Sequence, residues 1–176
     1  IECFEEFKTV MTVDFKETYR RMNLLSEKEQ EQANFFVQEY LNQNYLHTPV
    51  HSNMIGFVKT LPHKMGIASS GTNDLIRKKL SKIGLLEKMQ SIVGRDNVSR
   101  IKPDPEPVLK CAQEIGVTAE KAMFVGDTYV DMRAGRAANV AKVIGVDWGF
   151  EGVEKLYPEN PDGIISQPIE LLNYLM

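Results

Sequence analysis

The spacing of hydrophobic and polar residues changes near Pro49. Before this residue, apolar side chains recur every three to four positions, which is the spacing of one face of a helix. The clearest predicted helix begins at Ser26, since Ser26 and Glu29 stand at capping-box spacing. Its apolar face would consist of Ala33, Phe36, Val37, Tyr40 and Leu41. We predict an amphipathic helix of about five turns that packs on this face.

From Asn53 onward, short apolar strands alternate with helices. Strands are predicted at 64–69, 91–93, 122–125, 141–146 and 163–165. Helices are predicted at 54–61, 72–83, 106–115, 130–138 and from 169 onward. This alternation predicts an α/β domain with a Rossmann-like parallel sheet, flanked by helices on both faces.

Composition narrows the possible functions. The chain has 176 residues, 43% of them apolar, and a net charge of −3, so it can bury the core of one domain and is not disordered. The absence of a basic block argues against nucleic-acid or anionic-membrane partners, and no apolar run is long enough to span a bilayer. The two cysteines, Cys3 and Cys111, cannot form a disulfide framework, so we expect a cytoplasmic protein.

The first candidate site follows the strand that ends near Ala68. In open α/β sheets, ligands bind beyond the carboxyl ends of the strands. Ser69 and Ser70 occupy that position before a helix that opens at Thr72, so a hydroxyl, backbone N–H groups and a helix dipole could bind phosphate. Turn and cap chemistry alone would also explain these residues.

The second candidate is Lys102, which is followed by Pro103 and Pro105. Prolines restrict the backbone and therefore the reach of the lysine, which suits a point charge that neutralises a phosphoryl oxygen. An ordinary loop lysine before a helix is the alternative.

The third candidate is the acid pair Asp127 and Asp131. Asp127 would stand at the tip of a strand, with Asp131 one helical turn further on the same side. Two converging carboxylates suit a hard cation such as Mg²⁺. Asp127 could instead be a helix cap, but a cap would leave the second acid unexplained.

Taken together, these motifs resemble the haloacid dehalogenase (HAD) superfamily, in particular its phosphoglycolate phosphatase and β-phosphoglucomutase branch. The resemblance rests on GIASSGTND, IKPDPEPVLKCAQEIGV, FVGDTYVDMRAGRAANV, VIGVDWGF and DGIIS. It implies a HAD-type core at residues 49–176 and a partial helical cap at residues 1–48.

The resemblance also implies a role for each candidate residue. Ser69 would bind the transferring phosphoryl group with the backbone of Ser70, and Lys102 would neutralise its charge. Asp127 would ligate Mg²⁺, and Asp131 would support the metal directly or through water. The implied reaction is hydrolysis of a small phosphorylated metabolite through an aspartyl phosphate.

One family motif is missing from the chain. The nucleophile normally lies in D-x-D-G-T/V after the first strand, and the nearest match here is Asp14-Phe15-Lys16-Glu17-Thr18. Lys16 replaces the general acid/base, and a lysine could fill that role only with a strongly lowered pKa.

Two interpretations of this mismatch remain open. Asp14 could be a degenerate nucleophile in a weak or inactive protein. Alternatively, the nucleophile precedes Ile1, as the helical spacing through Phe4, Phe7 and Met11 favours. We expect the second, which would leave the central position between the strands ending at Ser69 and Val125 to be filled by another segment or chain.

The sequence therefore predicts a Mg²⁺-dependent phosphatase. A phosphomutase of the β-phosphoglucomutase type and an inactive phosphate-binding or interaction protein are the alternatives. Trp148 could contact substrate, although packing is the simpler expectation for this residue and for His51. Neither the substrate nor the oligomeric state follows from the sequence.

Overall fold

The computed structural model of the protein describes residues 15–24 and 26–175. These residues fall into two compact units that divide between His47 and Thr48. The predictions for Cys3 and Asp14 lie outside the described residues.

The described part of the first unit is helical. It contains α1 (Phe15–Arg21), α2 (Glu27–Asn44) and a 3-10 turn (Tyr45–His47). The predicted capping box is confirmed, because the Ser26 N–H donates to Glu29 Oε2 at 3.0 Å and the Glu29 N–H donates to Ser26 Oγ at 3.3 Å. The 18 residues of α2 make the five turns that were predicted.

The predicted packing of the α2 apolar face is wrong for two of its residues. Phe36 is 70% exposed and Tyr40 is 58% exposed, whereas Ala33 and Val37 are half-buried. The side chain of Leu41 lies outside the described residues. Helical spacing identifies which residues share a face, but it does not show that another surface covers them.

The second unit alternates strands with helices, which confirms the predicted α/β fold. Its strands are β1 (Gly66–Ala68), β2 (Ser91–Val93), β3 (Met123–Gly126), β4 (Lys142–Val146) and β5 (Gly163–Ile165). Its α-helices are α3 (Met54–Thr60), α4 (Asn73–Lys82), α5 (Glu106–Glu114), α6 (Tyr129–Ala137) and α7 (Val153–Leu156).

Short 3-10 helices complete the second unit. They comprise Leu86–Lys88, Arg95–Asn97, Ala119–Lys121, Tyr157–Glu159 and Pro168–Asn173. The last of them lies where an α-helix was predicted from Ile169, and α7 was not predicted.

The strands are parallel and form two sheets. β1 pairs with β2, and β4 lies between β3 and β5. In the described ranges, no strand pairs with the second edge of β1 or of β3. The two sheets therefore separate between β1 and β3, where the family resemblance places its first strand.

Helices cover each sheet with apolar side chains. The main cluster joins α5, α6, β4 and α7 through Val108, Met132, Val143 and Leu156. Ala68 of β1 and Phe124 of β3 both pack against this cluster. A second cluster packs α4 on β2 through Ile76, Leu80 and Ile92. The cores thus hold the ends of β1 and β3 in place although these strands do not pair.

Candidate active site

The turn after β3 holds the predicted acid pair. Thr128 caps α6, and the Asp131 N–H donates to its hydroxyl oxygen at 3.4 Å. In return, Asp131 Oδ2 accepts hydrogen bonds from the Thr128 N–H at 3.1 Å and from the Thr128 hydroxyl at 2.6 Å. The Asp127 N–H also donates to this oxygen, at 3.3 Å. The N-cap is thus Thr128 and not Asp127, as the alternative had it. Asp131 completes the capping box of Thr128, so a cap at this neighbouring residue does account for the second acid.

The remaining oxygen of Asp131 pairs with Lys102. The Lys102 ammonium lies 2.5 Å from Asp131 Oδ1, and the two side chains are 9% and 5% exposed. The same ammonium donates to the Ala68 carbonyl at 3.2 Å. Because Ala68 ends β1 and Asp131 lies in the first turn of α6, Lys102 connects the ends of the two sheets. Removing either partner would leave a buried charge without compensation.

Asp127 is held differently from Asp131. Its Oδ2 accepts a hydrogen bond from the Phe150 N–H at 2.8 Å. Gly149 permits this approach, because a Cβ there would lie 2.0 Å from the Asp127 Cβ. The carboxylate is half-buried, and no group in the described ranges donates a hydrogen bond to its Oδ1. Asp127 thus keeps one oxygen available to a ligand.

The turn after β1 carries the predicted hydroxyls. The Ser69 N–H continues the β1–β2 ladder by donating to the Val93 carbonyl at 2.9 Å. The Gly71 N–H donates to Ser69 Oγ at 3.1 Å, and Ser70 is exposed. Helix α4 begins shortly afterwards with Thr72 as its N-cap. This arrangement leaves a serine hydroxyl and a helix N-terminus at the carboxyl end of β1.

Contacts link the two turns through Lys102. Ser69 follows the Ala68 carbonyl to which Lys102 donates, and Lys102 pairs with Asp131, which in turn accepts from the Asp127 N–H. The structure thus brings the candidates from three separate motifs to one edge of the fold. Their roles in phosphate and metal binding remain predictions.

The donor atoms fit a magnesium ion that retains water ligands. Within residues 15–24 and 26–175, no group of three or more His, Cys, Asp or Glu side chains could hold a metal ion. Mg²⁺, however, commonly uses one or two carboxylates together with a substrate phosphate and water. Asp127 Oδ1 could supply one such carboxylate oxygen, whereas both oxygens of Asp131 already have protein partners.

A cysteine nucleophile is not favoured by the geometry. Cys111 lies in α5 and is buried, and its burial raises the pKa of the thiol. A raised pKa lowers the thiolate fraction at neutral pH, which makes the thiol a weak nucleophile. This position agrees with packing against Gly66, where an added Cβ would lie 2.3 Å from the Cys111 sulfur.

Three residues with contacts at the site were not predicted from the sequence: Thr128, Gly149 and Glu151. Thr128 and Asp131 stand at S/T-x-x-D/E spacing, which is a readable signal for a capping box. Gly149 and Glu151 had no such signal, because their contacts join the loop after β4 to the turn after β3. Trp148 packs against the core and its ring lies 4.3 Å from that of His51, centroid to centroid.

None of the helices in the described ranges has both the length and the apolar character needed to cross a membrane.

Comparisons with known proteins point to one family. The model of the haloacid dehalogenase-like hydrolases matches residues 4–146. Pyrophosphatase PpaX of Bacillus pumilus is 31% identical over 171 residues, which are 97% of this chain and 72% of that protein. A phosphoglycolate phosphatase of Nitrosococcus oceani is 26% identical over 121 residues, 69% of this chain and 53% of that protein. The chain spans about half the length of this relative and of other curated relatives that it matches.

A solved structure supports the fold. A haloacid dehalogenase-like hydrolase of Streptococcus pneumoniae matches 99% of this chain and 82% of its own with a TM-score of 0.83. The sequence identity is 17%, so this likeness concerns the fold alone.

Proposed function

The chain belongs to the haloacid dehalogenase-like hydrolase family, and from that premise we propose that it is a magnesium-dependent phosphatase acting on a small phosphorylated metabolite. The observation that carries this proposal is the buried Lys102 ammonium, which contacts both Asp131 and the Ala68 carbonyl beside Ser69. A phosphoryl group placed between the two turns would meet the ammonium, the Ser69 hydroxyl and the Asp127 carboxylate.

The charges at the site support a requirement for a cation. Lys102 contributes one positive charge, whereas Asp127 and Asp131 contribute two negative charges. A phosphate ester would therefore meet excess negative charge unless a cation were bound. A divalent cation reverses that sign, and Mg²⁺ is the ion that suits a carboxylate oxygen with a phosphoryl oxygen and water.

The chain's own residues would bind and orient the phosphoryl group. Ser69 Oγ and the backbone of Ser70 would donate hydrogen bonds to its oxygens, and the N-terminus of α4 favours an anion there. Lys102 would stabilise the charge of the transferring group from a site where burial strengthens the electrostatic interaction. Asp127 would hold Mg²⁺, which supplies charge neutralisation when bound, while Asp131 would orient Lys102 and cap α6.

We further propose the family's two-step chemistry. An aspartate oxygen bonds to phosphorus while the bond from phosphorus to the leaving oxygen breaks, and a general acid gives that oxygen a proton. Water then attacks the aspartyl phosphate and returns a proton to the same group, now acting as a base, which releases inorganic phosphate and restores the carboxylate. Asp14, the nearest sequence match for this aspartate, lies outside the described residues.

The site and the relatives together support a proposal for the substrate class. One lysine, one serine and one cation suffice for a single phosphoryl group, and the relatives reported above are named for pyrophosphate and phosphoglycolate. We therefore propose a small cytoplasmic metabolite with a terminal phosphoryl group. We further propose that residues 1–48 are a partial cap segment.

The experiment is phosphate release from p-nitrophenyl phosphate, pyrophosphate and phosphoglycolate, with and without Mg²⁺. We expect Mg²⁺-dependent release that falls by at least about 100-fold in Lys102→Met and in Asp127→Asn. Lys121→Met removes an exposed lysine and serves as the control. Absence of turnover on every phosphate, or turnover that neither variant changes, would contradict the proposal. Isomerisation of a sugar phosphate without phosphate release would favour a phosphomutase.

A further inference from the structure

Glu151 is a buried carboxylate that the proposed chemistry does not use. It follows β4, and its side chain is 1% exposed. Its Oε2 accepts a hydrogen bond from the Tyr129 N–H at 2.9 Å, and its Oε1 accepts one from the Lys155 ammonium at 3.2 Å. Burial of a carboxylate is costly unless such partners compensate it. The positions of the Tyr129 N–H and the Lys155 ammonium indicate which part of the fold the Glu151 carboxylate stabilises.

The backbone partner of Glu151 is the first residue of α6. The N–H groups in the first turn of a helix lack partners within the helix, and the positive end of the helix dipole attracts a negative charge there. Glu151 therefore anchors the N-terminus of α6. This is the helix whose first turn carries Asp131 and whose preceding residues are Asp127 and Thr128.

The neighbours of Glu151 hold Asp127 itself. The Phe150 N–H donates to Asp127 Oδ2 at 2.8 Å, and Gly149 lets the loop approach that carboxylate. We call residues 127–131, which follow β3, the acidic turn. The consecutive residues Gly149, Phe150 and Glu151 thus contact this turn at two points, the Asp127 carboxylate and the start of α6. A shift of Glu151 would move the Phe150 N–H away from Asp127.

From these contacts we infer that Glu151 is a positioning residue for the Asp127 carboxylate. It acts through the Phe150 and Tyr129 N–H groups and fixes the direction in which Asp127 presents Oδ1 to a divalent cation. This inference rests on the proposed function, because it assigns Asp127 to that cation. Replacement of a residue that orients a metal ligand typically lowers metal affinity by about 10- to 100-fold, and we expect a loss of about that size here.

The chain offers a matched control at Glu159. Its carboxylate pairs with Arg133 of α6 at 2.6 Å, so it also connects α6 to the segment after β4. Unlike Glu151, Glu159 contacts the helix through the exposed side chain of Arg133 and not through the first N–H of the helix. If any loosening of α6 weakened Mg²⁺ binding, replacing either glutamate would do so. If Glu151 positions Asp127, only the replacement of Glu151 should weaken Mg²⁺ binding.

The test compares Glu151→Met, Glu151→Gln and Glu159→Met in the whole chain. Calorimetry measures Mg²⁺ affinity, and hydrogen exchange measures protection of the Tyr129 and Phe150 amides. Glu151→Met should weaken Mg²⁺ binding by about 10- to 100-fold and speed exchange of both amides. Glu151→Gln keeps an oxygen acceptor for the Tyr129 N–H and should stay within about threefold of the unaltered chain. Glu159→Met should leave both readouts unchanged.

Several results would overturn the inference. One is an unchanged Mg²⁺ affinity in Glu151→Met, even with faster amide exchange, since that combination describes a purely structural role. Another is an equal loss of affinity in Glu159→Met. If Glu151→Met does not fold, Glu151→Ala takes its place. If the unaltered chain binds no Mg²⁺, both the inference and the proposed function fail. If the unaltered chain binds Mg²⁺ and Glu151→Met binds it equally well, only the inference fails.

Discussion

The two turns that form the candidate site are held to very different degrees. In the acidic turn after β3, both oxygens of Asp131 have protein partners and its side chain is 5% exposed. In the hydroxyl turn after β1, Ser69 Oγ accepts one N–H from Gly71 and the neighbouring Ser70 is exposed. Thr128 and Asp131 of the acidic turn are therefore part of the folded core, whereas Asp127 and the hydroxyl turn remain open to a ligand.

This difference separates stability from function within one site. Thr128 and Asp131 should affect both, because their hydrogen bonds are buried with the fold. Residues of the hydroxyl turn should affect function while leaving stability nearly unchanged. Lys102 lies in neither turn but contacts both, through Asp131 and through the Ala68 carbonyl next to Ser69.

The largest effect is expected for Lys102→Met. Removing the ammonium leaves Asp131 buried without its counter-charge, so the free energy of unfolding should fall by about 3 to 5 kcal/mol. Urea unfolding measures this change, and adding Asp131→Asn should restore part of it by removing the unpaired charge. A loss below about 1 kcal/mol would mean that the pair is solvated like a surface salt bridge.

Gly149→Ala should disturb the acidic turn next most strongly. The added methyl group would lie 2.0 Å from the Asp127 Cβ, so the loop or the carboxylate must move. We expect a loss of about 1 to 3 kcal/mol in unfolding free energy and weaker Mg²⁺ binding by calorimetry.

Gly56→Ala is the matched control for this substitution. Gly56 lies in α3 with no atom within 4 Å of an added Cβ, so alanine there should raise stability by up to about 1 kcal/mol. Equal stability of the two variants would contradict the close contact between Gly149 and the Asp127 side chain.

Ser69→Ala should show the opposite balance. Its hydroxyl oxygen accepts one hydrogen bond, so unfolding free energy should change by about 1 kcal/mol or less. Loss of a donor to the phosphoryl group should lower kcat/KM for phosphate release by about 100-fold. Parallel urea unfolding and steady-state kinetics separate the two effects. A large stability loss with unaltered kinetics would reverse the assignment of the two turns.

The smallest effect concerns Asp162, a carboxylate outside both turns. It accepts hydrogen bonds from the Val143 N–H at 2.7 Å and from Arg136 at 2.9 Å. Burial alone would raise the pKa of Asp162, but the Val143 N–H and the Arg136 charge together hold it below the ordinary value of 3.8. Since the folded pKa is depressed, the stabilisation is present above pH 3.8 and is lost as pH falls through the folded pKa.

Thermal unfolding of Asp162→Asn across pH tests that sign. The melting temperature of the variant should lie below that of the unaltered chain near neutral pH, and the gap should close in acid. Mg²⁺ affinity should not change. A gap that widened in acid would mean that the folded pKa is raised, contrary to the contacts of Asp162.

Much of the fold could be predicted because its signals are local. β2 and β5 have the predicted bounds, and the Ser26–Glu29 box starts α2 as expected. The motifs around Ser69, Lys102 and Asp127 together identified the family, which the match of the family model confirms. Apolar runs, caps and short motifs are properties of neighbouring residues, so the sequence expresses them directly.

The features that escaped prediction depend on contacts between distant residues. Phe36 has the spacing of a packed residue but is exposed, because spacing does not state what lies opposite. Glu151 lies in a loop with no motif, and only the fold brings it to the Tyr129 N–H, 22 positions away. Asp131 was predicted as a metal-site acid, and only the structure shows that Lys102 and Thr128 already bind its two oxygens.

The central claim is that Lys102, Ser69 and Asp127 form one site that binds phosphate together with Mg²⁺. Calorimetric titration of the whole chain with inorganic phosphate, in the presence and absence of Mg²⁺, tests it without requiring turnover. We predict that Mg²⁺ raises phosphate affinity by about tenfold and that Asp127→Asn abolishes this increase. Phosphate binding that is absent, or that is identical with and without Mg²⁺, would contradict the account.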